Sequence, residues 1–519
     1  MTLLLTTKYR HKVKTVEELC AAIGQRPRKK KVIMCHGVFD VVHPGHLRHL
    51  LYAKSKADLL VASLTADAHI TKGTYRPHIP QDLRALNLAA FDIVDYVVID
   101  TNPTPIENLG RIQPEYFAKG FEYNANGLPP KTQEEADALK AYGGQMIFTP
   151  GDIVYSSSTL IELSPPSLKL EKLLLVMEAE NLTFDDLRET LEKVKGKRVH
   201  VIGDTIVDSY TQTTMIGGQT KTPTMSVLYE RRDDFIGGAG VVAEHLRAAG
   251  AEVVFSTVLG DDALKDFVLA GLVKSGVECR PVIDSTRPTI NKNAIVASGY
   301  RLLKVDTLDN RSISDEIIES LTQSIREVPT DAVVFSDFRH GMFNRRTIAP
   351  LIASIPPGIF KVADSQVASR WGNIADFKGF DLITPNEREA RFALGDQDSG
   401  VRPLSLDLYR TAQCKTLMLK MGERGIQSCW VSDNNNCQPL TSFVVLDSFV
   451  DRLVDAVGAG DALLAYATLV LQETKSVPLA TIIGAMAAAC ECEFDGNIPI
   501  TSENLWRKID AIEREANFR

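Results

Sequence analysis

Val454-Asp455-Ala-Val-Gly458-Ala459-Gly460-Asp461-Ala-Leu-Leu-Ala465 runs from a glycine turn straight into an apolar helical stretch over residues 462–471. Gly458, Ala459 and Gly460 set consecutive backbone N–H groups at the start of that helix. Unpaired donors and the positive end of the helix dipole make an anion site. Such a cradle stabilises a phosphoryl group in transit. Asp461 stands at the mouth of the same turn. A carboxylate there can take the proton from an attacking hydroxyl, a step that contributes roughly 10²–10⁴-fold.

Outward from this turn, short β-rich runs alternate with helical patterns from residue 198 to the end. Gly203-Asp204 follows a strand over 198–202. Phe235-Ile-Gly237-Gly238-Ala-Gly240 precedes a helix. Thr384-Pro-Asn386-Glu-Arg-Glu389 follows a strand, and Lys420-Met-Gly422-Glu-Arg-Gly425 is a glycine-rich turn after another. One such turn alone is only a tight loop; the ordered set points to phosphate chemistry.

The first part of the chain repeats the alternation. Strands are predicted over 32–35, 59–63 and 96–100, and helices over 15–23, 46–57, 81–91 and 132–142. Strands separated by helices indicate a parallel sheet covered on both faces. Leu163-Ser-Pro-Pro-Ser-Leu168 breaks the pattern and is the linker candidate. A connecting helix over 169–180 and a helix over 185–194 follow. The expected organisation is a domain over 1–162, a linker over 163–180 and a domain over 181–519. The fold class is α/β throughout.

His36-Gly37-Val-Phe39-Asp40-Val-Val-His43-Pro-Gly45-His46 joins a strand to a helix in the first domain. Gly37 and Gly45 permit close backbone approach. Two imidazoles three positions apart at a helix start, His43 and His46, can both donate to phosphate oxygens, which suits a triphosphate. Asp40 fits a turn or cap, and His36, His49 and His69 fit structural roles better than catalytic ones. Thr71-Lys72-Gly73, Arg84 at a helix start, Lys119-Gly120 and Ser157-Ser158-Thr159 accompany the motif.

The 519 residues suffice for two or three domains. A net charge of −8 and an isoelectric point near 5.8 argue against a nucleic-acid surface. The basic run over 26–31 reads as a solvated approach to a strand. No apolar run approaches the roughly 20 residues of a membrane span; the longest candidate, 482–490, is short and rich in alanine. Residues 1–5 are too short for a signal-peptide core. The eight cysteines are scattered without CxxC, which fits free thiols in a cytoplasmic protein. No zinc-ligand spacing is present.

On these motifs, residues 7–162 resemble the cytidylyltransferase-type nucleotidyltransferases, and residues 185–519 resemble the ribokinase-like (PfkB) sugar kinases. Lys119-Gly-Phe-Glu-Tyr123, the opening Lys195-Gly-Lys-Arg-Val-His-Val-Ile-Gly203-Asp204 and Lys304-Val-Asp306 are most similar to the bifunctional ADP-heptose synthase family. In that family the kinase precedes the transferase; here the order is reversed. The resemblance implies a Rossmann-like nucleotidyltransferase domain followed by a ribokinase-like α/β domain. Residues 209–230, rich in Thr and β-branched residues, fit either a β-lid of the kind that pairs such kinases into dimers or an ordinary surface excursion.

The resemblance also implies roles. In the transferase, His43 and His46 hold the α/β phosphates, Lys72 and Lys119 neutralise phosphates, Arg84 joins the phosphate site, and Ser157, Ser158 and Thr159 grip the β/γ phosphates. Gly37, Phe39 and Gly45 shape the turn. In the kinase, Asp461 is the base, and Asn386 and Glu389 organise Mg²⁺ through water. Gly422 and Gly425 flank the base and ribose of ATP, while Asp204, Gly237, Gly238 and Lys304 line the sugar site. The implied function is phosphorylation of a sugar phosphate, heptose 7-phosphate first, at its anomeric hydroxyl, and nucleotidyl transfer to a sugar 1-phosphate. ATP is the co-substrate, with CTP second for the transferase.

Two departures bear on the sugar. Val241 stands where relatives carry an asparagine, and Ala456 where a threonine is common. They motivate two alternatives: the same chemistries on another sugar or polyol, and a catalytically silent regulator. The intact Asp461, Asn386, Glu389, His43 and His46 speak against the latter. The expected partners are small sugar phosphates and nucleotides and a second copy of the chain, with no nucleic acid and no membrane.

Overall fold

A computed structural model describes residues 8–42, 44–70, 76–120, 130–149, 169–217, 225–366, 374–432, 440–494 and 496–518. The chain divides into two compact units, the first formed by Met1–Leu168 with Asp398–Pro403 and the second by Lys169–Gln397 and Leu404–Phe518.

The first unit carries five parallel strands: β1 (Val32–Gly37), β2 (Leu59–Thr65), β3 (Tyr96–Asp100), β4 (Tyr116–Gly120) and β5 (Gln145–Thr149). Their order is β3-β2-β1-β4-β5. Val32, Ile33, Met34 and Cys35 are all fully buried, because β1 is central and covered on both faces. Side chains alternate between two cores, Ile33 and Cys35 on one face and Val32 and Met34 on the other. The order reverses direction after β1. Ligands of open parallel sheets bind beyond the strand C-termini at such a switch point, and the His36–His46 segment lies there. The helix Val16–Ile23 starts in a capping box, with Thr15 Oγ accepting from Glu18 N at 3.2 Å and Glu18 Oε2 accepting from Thr15 N at 3.0 Å.

Among the described residues the second unit holds two sheets. Nine strands, β6 (Arg198–Gly203), β9 (Glu252–Leu259), β10 (Glu278–Ile283), β13 (Ala332–Asp337), β14 (Phe360–Ser365), β15 (Leu382–Ile383), β16 (Thr416–Lys420), β17 (Ile426–Ser432) and β18 (Leu440–Leu446), lie in the order β10-β9-β6-β13-β14-β15-β16-β17-β18. All pair in parallel except β17 and β18, which add an antiparallel edge. The other sheet has β7 (Thr205–Gly217), β8 (Ser226–Gly238), β11 (Ile290–Ala297) and β12 (Tyr300–Thr307) in the order β12-β11-β7-β8. The excursion read over 209–230 is thus the outer part of the β7–β8 hairpin, and a second hairpin joins it by parallel pairing of β11 with β7.

The helix Lys169–Ala179, expected as a connector, buries Leu170, Leu173 and Met177 in the core of the second unit. The apolar run around 482–490 is the middle of the helix Val477–Cys492, which packs along the helix Ala459–Thr474. A helix apolar all round is a core helix. Among the described residues no helix is long and apolar enough to cross a membrane. The seven cysteines among them are free.

Candidate active sites

In the second unit, Gly458 is left-handed at φ +86° and precedes the helix Ala459–Thr474. A Cβ there would lie 2.7 Å from Glu491 Oε1, so backbone conformation and space both call for glycine. Asp461 falls in the first helical turn and is only 9% exposed. Burial pushes its carboxyl up to about 8, Asp364 adds to the shift, and Lys420 opposes it. A carboxyl poised near neutrality suits a general base.

Gly458, Ala459, Gly460 and Asp461 line a cavity of about 930 Å³. Asn386, Glu389, Gly422 and Gly425 line it too. Gly422 and Gly425 have φ of +63° and +82°, and a Cβ on Gly425 would strike Leu446 O at 2.0 Å. Asn386 and Glu389 form a capping box: Asn386 N donates to Glu389 Oε2 at 2.7 Å, and Glu389 N donates to Asn386 Oδ1 at 2.9 Å. Glu389 is pushed up to about 7 by burial, with Lys420 opposing and Asp364 reinforcing. Asp364 accepts from Lys420 Nζ at 2.9 Å and from Thr384 Oγ at 2.8 Å. The acidic and amide oxygens of Asp364, Asn386 and Glu389 are hard donors. No cluster of three or more metal-ligating side chains occurs among the described residues. That donor set fits Mg²⁺, which keeps several waters and takes few protein ligands.

Asp208, Gly238, Lys292, Lys304, Phe338 and Asn497 line the same cavity. Asp208 and Lys292 face each other across the β7–β11 pair, and Lys292 opposes Asp306 across β11–β12. Asp208 Oδ2 would be 2.1 Å from a Cβ on Gly237, so this glycine makes room for the carboxylate. Asp204, expected at the sugar, lies elsewhere. It is 1% exposed and accepts from Phe338 N at 3.0 Å and His340 N at 3.3 Å. It braces the loop after β13 and does not line the cavity. Val241 is buried in the helix Ala239–Ala248. Asp208, Lys292, Asp364, Lys420 and Asn497 escaped the sequence reading. The strand alternation that puts Ile206 and Asp208 on one side of β7 was the only signal for any of them.

In the first unit, Phe39 has φ +50° and its ring centroid lies 5.2 Å from that of His46. A Cβ on Gly37 would touch the Phe39 ring at 3.4 Å. Gly45 and His46 lie in the first turn of the helix Pro44–Lys54. Asp40 Oδ1 accepts from Ile79 N at 3.0 Å. Arg84 differs from its expected place among the phosphate ligands. It is fully buried, donates from Nε to Ile79 O at 2.9 Å and from Nη2 to Thr65 O at 3.1 Å, bonds Val38 O, and pairs with Asp67. It faces the interior because those carbonyls need a donor, and it fixes the turn after β1 from behind. Lys119 pairs with Glu135, Nζ to Oε2 at 2.6 Å. His36 lies 2.9 Å from Ser63 Oγ and is driven down to about 3 by burial, with Lys119 adding to the shift. His49 meets Thr149 Oγ at 3.0 Å, and His69 meets Thr101 O at 2.6 Å. His43, Lys72, Ser157, Ser158 and Thr159 lie outside the described residues.

The chain matches the family model for pfkB family carbohydrate kinases over residues 197–503 and that for cytidylyltransferase-like proteins over residues 34–163. It is 27% identical over 337 residues to the "Bifunctional protein HldE" of Bradyrhizobium sp. (strain ORS 278), covering 63% of this chain and 65% of that protein. It is 37% identical over 138 residues to the protein of the same name from Geobacter metallireducens, covering 26% of this chain and 27% of that protein. Each alignment thus spans less than two thirds of the relative's length. Phosphofructokinase-2 from Escherichia coli superposes with a TM-score of 0.51 at 16% identity, over 62% of this chain and 100% of that one, which shows a shared fold.

Proposed function

The chain belongs to the pfkB family of carbohydrate kinases and carries a cytidylyltransferase-like domain ahead of the kinase, and we propose that it is a bifunctional enzyme of nucleotide-activated sugar synthesis. The kinase phosphorylates the anomeric hydroxyl of a sugar phosphate, heptose 7-phosphate first. The transferase joins a nucleotidyl group, from ATP first, to a sugar 1-phosphate.

In the kinase step the acceptor hydroxyl attacks the γ-phosphorus of ATP. Its proton passes to Asp461, the bond from phosphorus to the ADP oxygen breaks, and ADP leaves. The N–H groups of the Gly458–Gly460 turn take up the charge on the transferring oxygens. Asn386 and Glu389 would hold Mg²⁺, which would neutralise charge on the polyphosphate. Lys292 and Lys304, at the acceptor end, suit the phosphate already on the sugar.

In the transferase step an oxygen of the sugar 1-phosphate attacks the α-phosphorus, and pyrophosphate departs. A phosphate nucleophile needs no base, so positioning and charge stabilisation suffice. His43, His46, Lys72, Lys119 and the Ser157–Thr159 hydroxyls supply them in this reading.

One observation carries the kinase reading: Asp461 and the glycine turn share a single cavity with Lys292 and Lys304. Val241 offers no polar group there and Ala456 lines the cavity, which favours a different sugar or polyol as the second reading. The small sheet exposes Ile216, Leu228, Tyr229, Tyr300 and Leu303. Their natural cover is the same sheet of a second copy, giving a cytoplasmic homodimer. The test is purified protein with ATP and a panel of sugar phosphates, and separately ATP or CTP with sugar 1-phosphates. Turnover of a heptose 7-phosphate supports the first reading, turnover of another acceptor the second, and no turnover in either assay removes both.

A further inference from the structure

Lys420 ends β16 and has no part in the steps above. Its backbone is clamped: its N–H donates to Pro385 O at 2.9 Å, and an isolated β-bridge ties it to Asn386. Its side chain, 16% exposed, lines the cavity. Nζ lies 3.2 Å from where a Cβ on Gly460 would stand, so the ammonium rests against the glycine turn itself. An ammonium has three N–H donors, and Asp364 takes one of them at 2.9 Å. The ammonium is therefore held in place, with donors to spare, beside an anion cradle.

An ion pair with Asp364 alone would not require the amine to abut Gly460. We infer that Lys420 contacts the terminal phosphoryl group of a nucleoside triphosphate at the Gly458–Gly460 turn, a cationic donor added to the backbone amides. This rests on the kinase reading and gives that site a residue that distinguishes a triphosphate from a diphosphate. The diphosphate lacks the group that Lys420 touches.

The test compares the full-length protein with Lys420→Met. Calorimetry with Mg²⁺ measures binding of the β,γ-imido analogue of ATP and of ADP. Nucleotide bound by the transferase half is common to both proteins. Lys420→Met is expected to weaken triphosphate binding by about tenfold or more while ADP changes by less than about twofold. With a working acceptor, kcat falls roughly 10²-fold. Because Lys420→Met strands Asp364, the variant Lys420→Gln, whose amide can still donate to Asp364, must show the same selective loss. Equal weakening of both nucleotides, or no change in either, overturns the inference and leaves the kinase reading to wild-type turnover. Absent wild-type turnover with selective nucleotide loss intact removes the kinase reading and keeps the contact. A wild-type protein whose kinase half binds no triphosphate removes both.

Discussion

Glu491 is seated on Gly458: its Oε1 is 2.7 Å from the position a Cβ on that glycine would take, and its side chain is fully buried. The carboxyl and the left-handed glycine therefore shape the phosphoryl cradle together. Gly458→Ala brings a left-handed alanine, costing about 1–2 kcal/mol, and pushes Glu491 aside. Kinase kcat is expected to drop roughly 10²-fold or more, with pyrophosphate release from the transferase unchanged. Steady-state assays of both activities on one preparation check this.

Asp461 titrates near 8 because it is buried beside Asp364. As the base it works when ionised, so kinase kcat/KM rises with pH up to about 8 and levels above it. Stability runs the other way. A carboxyl whose folded value exceeds its ordinary 3.8 contributes stability that is complete below 3.8 and lost as pH climbs through about 8. Asp461→Asn, which keeps the uncharged form, abolishes phosphorylation. Its melting temperature matches wild type near pH 4 and exceeds it increasingly towards pH 8. A constant difference across that range would sink the assignment.

Two sites in two units give separable losses. Asp461→Asn removes sugar phosphorylation and spares pyrophosphate release; His46→Ala does the reverse. If either substitution silences both reactions, the two activities are not independent.

Arg84 holds its carbonyl partners and Asp67 in a fully buried setting. Arg84→Met leaves those carbonyls without their donor and takes one of two arginine partners from Asp67, which keeps Arg402 at 2.9 Å, at a cost of about 1–3 kcal/mol. Thermal unfolding of the first unit is expected to move to lower temperature and transferase activity to fall with it. Kinase activity persists below that transition.

Lys292 and Lys304 line the cavity and, in the proposed reading, meet the phosphate of the acceptor. Replacing both by methionine is expected to raise KM for a phosphorylated acceptor roughly tenfold or more, with kcat nearly unchanged. An unphosphorylated analogue of the same sugar shows no such rise. An equal effect on both acceptors would place the lysines away from the phosphate.

The strands and helices that carry each turn were legible because hydrophobic period and glycine placement are local signals. Asp461, Gly458 and Gly425 sit where their turns put them. Arg84 was misread because a basic residue at a helix start suggests a ligand, while two of its partners, the carbonyls of Val38 and Thr65, come from segments distant in the chain. Asp204 and Asp208 are four apart, and only the path of β7 decides that the second lines the cavity and the first braces a loop. Lys420 looked like the opening of a glycine turn. Its closeness to Gly460 depends on bringing the end of β16 to the start of the helix Ala459–Thr474, which no local pattern encodes.

Asp208, Lys292 and Lys304 belong to the four-stranded sheet, whereas Lys420 and Asp364 stand on the nine-stranded one. In the proposed reading, choice of substrate and execution of the reaction thus fall to separate hydrogen-bonded frameworks. Substitutions in the smaller framework can retune which molecule is accepted while the larger keeps its reacting groups in register, so diversification among such enzymes has a route that leaves the chemistry intact.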